Sequence, residues 1–184
     1  MSSGTVSSVR IFNPSSFAAN VLMVLAGSLA LAISAKVQVP FWPVPMTMQT
    51  FIVLMIGLHF GTRVAGLAVL AYLAEGAAGL PVFSTGAGLM FLAGPTGGYL
   101  IGFFISAMLV AAAVRRGYAN SVLGLLAVLV IGDAVIFGFG FSRLAMILTP
   151  ERAFEVGVLP FMPAEALKIA LAIAASRAVS MRRA

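Results

Sequence analysis

The arrangement of this chain depends on one segment, Val39-Pro40-Phe41-Trp42-Pro43-Val44-Pro45-Met46-Thr47-Met48-Gln49-Thr50. Three prolines within six residues exclude a regular helix there, because proline fixes φ and removes a backbone donor. Long apolar runs precede and follow the segment. The pattern predicts a rigid, aromatic-bearing loop at a membrane surface.

The composition is that of an integral membrane protein. Of the 184 residues, 61% are apolar and only 9% are charged, and the mean hydropathy is +1.12. Such values lie far from those of an ordinary soluble domain. The net charge of +6 would suggest nucleic acid in a soluble protein, but here the arginines flank apolar runs and orient the chain in lipid. No nucleic-acid partner is expected.

The apolar runs predict an all-α protein with six transmembrane helices in a compact bundle, because about 20 helical residues cross roughly 30 Å of hydrocarbon. We expect residues 1–16 to form a polar tail and residues 17–184 a single domain. The spans are expected at residues 17–35, 47–60, 64–80, 94–114, 120–141 and 161–179. The loop after the third span is expected to pack back onto the bundle, and residues 142–160 to form a long polar connection.

The basic residues predict the orientation. Six spans put both termini on one side, which would then carry seven arginines: Arg10, Arg63, Arg115, Arg116, Arg177, Arg182 and Arg183. Only Lys36, Arg143 and Arg152 would lie opposite. The positive-inside rule therefore predicts cytoplasmic termini and outward-facing structured loops. His59 would lie among headgroups at the cytoplasmic end of its span, with no assigned role.

Charged residues inside spans are costly unless they are paired or face a wet cavity, so each is a candidate site residue. Glu165 and Lys168 are three apart on one helix and either neutralise each other or bind a solute, with Lys168 receiving a carboxylate. Glu75 is equally consistent with ligand contact and with helix packing, and Tyr72 is expected to share its face. For Asp133 a hydrogen bond inside the bundle is at least as good an explanation.

Neutral and aromatic residues complete the candidate set. Thr47, Gln49 and Thr50 offer donors and acceptors for an uncharged polar ring at the outer end of the second span. Trp42 could stack on a ligand or join an interfacial aromatic belt, and Phe83 in the next outer loop is a further candidate contact.

The sequence contains no catalytic constellation. There is one histidine and no cysteine, and Gly97-Gly98 is not followed by the Gly-Lys-Ser/Thr of a nucleotide-binding loop. We therefore predict that the chain is not an enzyme and that any ATPase would be a separate chain. In the first span, Ala26, Ala30 and Ser34 recur every fourth residue beside Gly27 and Leu31, which suits close helix approach or internal packing.

Four blocks resemble the signatures of the BioY family, the biotin-specific substrate-binding subunits of energy-coupling-factor transporters. They are VPMTMQT at 44–50, GLPVF at 79–83, GPTGGYLIGF at 94–103 and PAEALK at 163–168. The family has Gly-Asp-x-x-Lys in its last helix, where this chain has Ala164 and Glu165 before Lys168. The acid is therefore kept, one methylene longer.

The resemblance implies a six-helix bundle in the cytoplasmic membrane, with biotin as cargo beneath the loop between the first two helices and no cofactor. Thr47 and Gln49 would meet the bicyclic urea and Lys168 the carboxylate. It further implies association with a transmembrane coupling protein and two ATPases, docked at Ala26 and Ala30. The residues by themselves leave open another small carboxylated solute, a non-transporting scaffold, and association with a second copy.

Overall fold

A serine caps the N-terminus of the first helix. The computed structural model describes residues 16–181, with side chains to residue 179. The Ser16 hydroxyl accepts a hydrogen bond from the Ala19 N–H (3.2 Å), satisfying one of the free amides at the start of helix α1, Phe17–Lys36. Its 20 residues are apolar or small except for Asn20, two serines and the terminal Lys36. Such a composition suits a membrane span.

The proline segment forms a short hairpin. Strands β1 (Gln38–Val39) and β2 (Met46–Thr47) pair antiparallel and bracket the three prolines, and the Trp42-Pro43 peptide is cis. Val44 is buried, and the Phe41 ring lies 6.2 Å from that of Phe161 near the end of the chain. The predicted non-helical loop is thus confirmed, with one pair of two-residue strands added to an otherwise helical protein.

Helices α2 (Gln49–His59) and α3 (Thr62–Ala77) follow. The 11 residues of α2 span only about 16 Å, and most of them are buried against α5 and α8. His59 is buried, with 7% of its surface exposed. Its expected place among headgroups is therefore wrong, because α2 ends inside the bundle.

The connection after α3 packs back onto the bundle, as predicted. Phe83 is fully buried, with its ring stacked on Phe91 of α4 (Leu89–Ala93) at 4.9 Å and edge-on to Tyr72 at 5.5 Å. Gly76 makes this possible, because a Cβ there would lie 2.1 Å from the Phe83 ring.

Helices α5 (Gly97–Arg115) and α6 (Val122–Ile147) form the tightest pair. A Cβ at Gly98 would lie 2.3 Å from the Phe139 carbonyl oxygen, and one at Gly102 would lie 2.8 Å from the Ile136 Cα. Glycine at these two positions lets the two backbones touch.

The predicted end of the fifth span, residue 141, is wrong, because α6 continues for six more residues. The Ser142 hydroxyl donates to the Gly138 carbonyl (2.7 Å), and the Arg143 guanidinium donates to the carbonyls of Ala93 and Gly94. These polar side chains are satisfied without leaving the helix. The expected polar connection at 142–160 is instead the end of α6, helix α7 (Pro150–Gly157) and a 3-10 turn (Leu159–Phe161), followed by α8 (Met162–Met181).

Within residues 16–181, four helical stretches are long and apolar enough to cross a membrane. They are Phe17–Lys36, Gly97–Arg115, Val122–Ile147 and Pro150–Val179. The protein is therefore a predominantly helical, multi-span membrane protein. The two shorter helices α2 and α3 lie inside the same bundle, with α3 packed on α1 and α5.

Candidate functional site

A buried ion pair lies near the N-terminal end of α8. Lys168 Nζ and Glu165 Oε1 are 2.7 Å apart, and their side chains are 6% and 3% exposed. The two residues are three apart on the helix, a spacing that brings side chains together on one face. Of the two alternatives left open by the sequence, mutual neutralisation describes the contact seen here, and a solute-binding role for Lys168 stays a prediction.

The start of α2 completes the coordination of this pair. Lys168 Nζ also donates to the Thr47 carbonyl (2.5 Å) and the Thr50 hydroxyl (3.0 Å), so all three of its protons are used. Thr50 in turn donates to Glu165 Oε2 (2.8 Å). The Thr47 hydroxyl accepts from the Gln49 N–H at the first turn of α2 (3.2 Å). A charge on α8 is thereby bound to the strand and helix that follow the proline hairpin.

A further hydrogen bond, between Gln49 and Tyr72, extends the polar cluster towards α3. The buried Gln49 side chain donates through Nε2 to the Tyr72 hydroxyl (2.6 Å). Tyr72 is fully buried and also lies within 3.4 Å of the Val82 carbonyl, to which its hydroxyl donates. The loop after α3, helix α2 and helix α3 therefore meet at one neutral donor and acceptor pair.

A small cavity of about 30 Å³ lies between these groups and the hairpin. A cavity of that size has room for a few water molecules. Its polar lining comes from Thr47, Gln49, Thr50, Ser84, Thr96 and Glu165, and its apolar lining from Val44, Pro45, Tyr99, Phe103, Phe137 and Phe161. The cavity joins hydrogen-bonding groups to aromatic walls beneath a proline-rich cover, which is the composition of a small-molecule site.

Asp133 adds a second acid beside the ion pair. It is 7% exposed and interacts electrostatically with both Glu165 and Lys168. Its Oδ1 atom has no hydrogen-bond partner among the described residues. Asp133 is therefore part of the buried polar cluster on the α6 side, with acceptor capacity to spare.

The predicted site residues separate into three groups. Thr47, Gln49 and Glu165 line the cavity, while Lys168 and Tyr72 contact those lining residues. Phe83 supports the Tyr72 ring from behind.

Glu75 and Trp42 lie elsewhere. Glu75 accepts a hydrogen bond from the Ser28 hydroxyl of α1 (2.6 Å), so the structure gives it the helix-packing role. Tyr72, three residues before Glu75 on α3, has a different hydrogen-bond partner, Gln49 of α2. Trp42 is 77% exposed and contributes nothing to the cavity lining, while its neighbour Phe41 is less exposed, at 43%, and lies against Phe161.

The small residues of α1 divide between two surfaces. Gly27 faces α3, where an added Cβ would lie 2.8 Å from that of Ala68, and Ser34 is buried with its hydroxyl bonded to the Leu31 carbonyl. Ala26 is exposed and Ala30 partly so. Internal packing therefore accounts for the Gly27 side of α1 and leaves the Ala26 side open.

Sequence reasoning missed the aromatic wall of the cavity. Phe137 lies four residues after Asp133 and Phe161 four residues before Glu165, so helical spacing alone places each near a candidate acid. Tyr99 follows the Gly97-Gly98 pair and donates its hydroxyl to the Gly157 carbonyl (2.6 Å). These spacings were the available signal. Among the described residues, no three His, Asp or Glu side chains are grouped so as to hold a metal ion.

Comparison with known proteins identifies the fold and the family. The chain superposes on the crystal structure of the S-component for biotin from an ECF-type ABC transporter with a TM-score of 0.80 at 20% identity, covering 91% of this chain and 94% of that one. The probable biotin transporter BioY of Pyrococcus horikoshii is 37% identical over 146 residues, which is 77% of this chain and 84% of that protein. The biotin transporter BioY of Rhizobium etli is 35% identical over 161 residues, 82% of this chain and 86% of that protein. The BioY family model matches residues 6–184, and the chain therefore belongs to the BioY family.

Proposed function

We propose that this chain is a biotin-binding membrane subunit, the substrate-specific component of an energy-coupling-factor transporter. The observation that carries the proposal is the position of a buried lysine, Lys168, beneath the hairpin and beside a neutral amide and hydroxyl cluster. Named relatives that are biotin transporters support the choice of cargo.

The chemistry of the cluster suits the two ends of biotin. The bicyclic urea is uncharged and needs both donors and acceptors, which Gln49 and Thr47 supply at the cavity. The thiophane ring is apolar and matches the walls formed by Phe137 and Phe161. The carboxylate needs a cation, and Lys168 is the one described lysine that is buried next to the cavity.

Binding requires two local changes. A cavity of about 30 Å³ is too small for a bicyclic solute, so the hairpin carrying Val44 and Pro45 must move outward. The ammonium of Lys168 already uses its three protons on protein acceptors. A ligand carboxylate must therefore replace one of them, and the Thr47 carbonyl is the acceptor that moves with the hairpin.

The proposal is tested by calorimetric titration of biotin into the detergent-purified protein. Wild type is compared with Lys168→Met, and biotin with its carboxamide. Loss of one charge-assisted hydrogen bond costs roughly 1.5 to 3 kcal/mol, so either change should weaken binding by about 10- to 100-fold. The two changes together should weaken it little further, because each removes the same contact.

Lys36→Met is the matched control. Lys36 donates to the Phe83 carbonyl (2.5 Å) and does not itself line the cavity. Its removal should leave biotin affinity unchanged. If Lys36→Met weakens binding while Lys168→Met does not, the assigned cation is wrong. If folded wild type binds no biotin but binds another carboxylated solute in a panel of vitamins, the cargo is wrong.

The family also motivates proposals on membrane arrangement and partners. We infer a bundle of six membrane-embedded helices, α1, α2, α3, α5, α6 and α8, in the cytoplasmic membrane with both termini on the cytoplasmic side. The exposed Ala26 side of α1 would dock a transmembrane coupling protein that is energised by separate ATPases. Substitution of Ala26 by Trp should then reduce co-purification with that coupling protein and leave biotin binding intact.

The orientation can be measured directly because the chain has no cysteine. Single cysteines at Glu151 in α7 and Tyr118 in the α5–α6 connection sit at exposed positions on opposite sides of the proposed bundle. A membrane-impermeant maleimide added to whole cells should label the Glu151→Cys protein and leave Tyr118→Cys unlabelled until the cells are opened. The reverse pattern would invert the proposed topology.

A further inference from the structure

An apolar groove runs along the junction of α1 and α3 and shares no lining residue with the small cavity of the polar cluster. Its volume is about 1050 Å³. Its walls are mainly aliphatic and are formed by Val21, Val24 and Leu25 of α1 with Leu67, Leu70 and Ala71 of α3. Leu25, Leu67 and Leu70 are each about half exposed. The groove is therefore an indentation in the surface that meets the bilayer.

The length of the groove matches one leaflet. On α3 it extends from Thr62 to Ala74, twelve residues and so about 18 Å along the helix axis. Half of a roughly 30 Å hydrocarbon core is about 15 Å. An acyl chain of one leaflet would lie in the groove along most of its length.

One end of the groove is positively charged. Arg63, in the first turn of α3, and Arg115, in the last turn of α5, both line that end. Both are exposed, and neither forms a hydrogen bond or ion pair with any residue from 16 to 181. The first turn of α3 has no side-chain cap, so its free amides add partial positive charge at the same end. The other end, at Ala74, has no basic residue among its lining.

We propose that this groove binds one anionic phospholipid, with the phosphate group between Arg63 and Arg115 and an acyl chain along the aliphatic wall of α3. The groove is positively charged at one end and apolar over about the length of one leaflet. Its shape and charge are therefore complementary to an anionic phospholipid. Paired basic residues at a membrane interface favour anionic over zwitterionic headgroups. The inference is independent of the cargo bound at the polar cluster.

Quenching of a local tryptophan by brominated lipid tests the proposal. The chain has a single tryptophan, so a Trp42→Phe background leaves one reporter wherever a new tryptophan is introduced. Leu67→Trp places the reporter in the groove, and Leu126→Trp places it at a similar depth on α6, outside the groove. Each protein is reconstituted into two kinds of vesicle. One contains phosphatidylcholine with dibrominated phosphatidylglycerol, and the other contains phosphatidylglycerol with dibrominated phosphatidylcholine.

At position 67 we expect phosphatidylglycerol to be preferred over phosphatidylcholine by about five- to twenty-fold, since each arginine at an anionic lipid contributes roughly a five-fold preference. At position 126 the preference should be near unity. Arg63→Gln with Arg115→Gln should abolish the preference at position 67. Arg116→Gln is the matched control, since Arg116 directly follows Arg115 but does not line the groove, and it should retain the preference.

Three results would overturn the proposal. One is equal quenching by the two lipids at position 67 in the otherwise unchanged protein. Another is an Arg116→Gln effect as large as that of the double variant, which would mean a diffuse surface charge. The third is protection of position 67 from both lipids, which would mean that polypeptide covers the groove. Recovery of quenching on removal of residues 2–15 would then identify the N-terminal segment as the occupant, and no recovery would point to a protein partner or second copy.

Discussion

Removing the charge of Lys168 should destabilise the protein far more than removing an exposed charge of α7. Lys168→Met leaves the Glu165 carboxylate, 3% exposed, without its cation and with only neutral donors such as the Thr50 hydroxyl. It also removes donors from the Thr47 carbonyl and Thr50 hydroxyl. Breaking a buried pair by removing one partner typically costs about 3 to 5 kcal/mol, since the other charge stays buried and uncompensated.

Replacing both partners should restore most of the loss. In Glu165→Gln with Lys168→Met no buried charge of the pair remains, and the glutamine still offers an acceptor to Thr50. Removal of both charges of a buried pair is often close to neutral. We expect the double variant to lie within about 2 kcal/mol of wild type. The energetic signature of the pair is therefore non-additivity of the two substitutions.

The chain contains a matched exposed pair. Arg152 and Glu155 are also three apart on a helix and are joined at 2.9 Å, but their side chains are 61% and 58% exposed. Solvent screens such a pair, which contributes about 0 to 1 kcal/mol. Arg152→Met therefore controls for loss of a helix-surface cation with the same sequence spacing.

Thermal unfolding in detergent is the measurement. At roughly 2 to 4 °C per kcal/mol for a protein of this size, Lys168→Met should lower Tm by about 6 to 20 °C and Arg152→Met by less than about 4 °C. Equal shifts for the two single variants would refute the claim that burial makes the Lys168 pair important. A double variant as unstable as Lys168→Met would refute the claim that the orphaned Glu165 charge is the cause.

Two packing predictions follow from the helices around α3. Gly76→Ala should destabilise the protein by about 1 to 3 kcal/mol, because the added Cβ would overlap the Phe83 ring. Gly138→Ala is the control: its Cβ would meet nothing within 4 Å, so the change should be neutral or stabilising by up to about 1 kcal/mol. Similar Tm values for the two variants would contradict this packing. Tyr72→Phe should cost about 1 to 3 kcal/mol, because the buried Gln49 amide loses its acceptor, and an unchanged Tm together with unchanged cargo affinity would show that this hydrogen bond is dispensable.

Local sequence rules predicted the parts of the site that one element makes alone. Two charges three apart on a helix predicted the Glu165 and Lys168 pair, and three closely spaced prolines predicted the rigid cover. Tyr72 and Glu75 have the same spacing, yet Tyr72 bonds to Gln49 of α2 and Glu75 to Ser28 of α1, and spacing along one helix does not specify such partners.

Helix ends were the weakest part of the prediction. Ser142 and Arg143 looked like the start of a polar connection, yet both bond to backbone carbonyls while α6 continues to Ile147. His59 looked like a headgroup residue because it closes an apolar run, yet it is buried by neighbouring helices. A polar residue ends a span only where water or lipid headgroups reach it, and that depends on what packs alongside.

By itself, the amino-acid sequence determined the class of this protein, the rigid cover between α1 and α2, and the cation and acid at the start of α8. Composition, proline geometry and helical periodicity are properties of contiguous residues, so no neighbour can alter them. Only the tertiary structure decided that Thr47 and Thr50 meet Lys168 across more than a hundred residues, that Gln49 pairs with Tyr72, and that Glu75 packs on Ser28. Those contacts depend on how far each helix is rotated about its axis, and the rotation is fixed by packing between helices, such as that of Gly102 against Ile136.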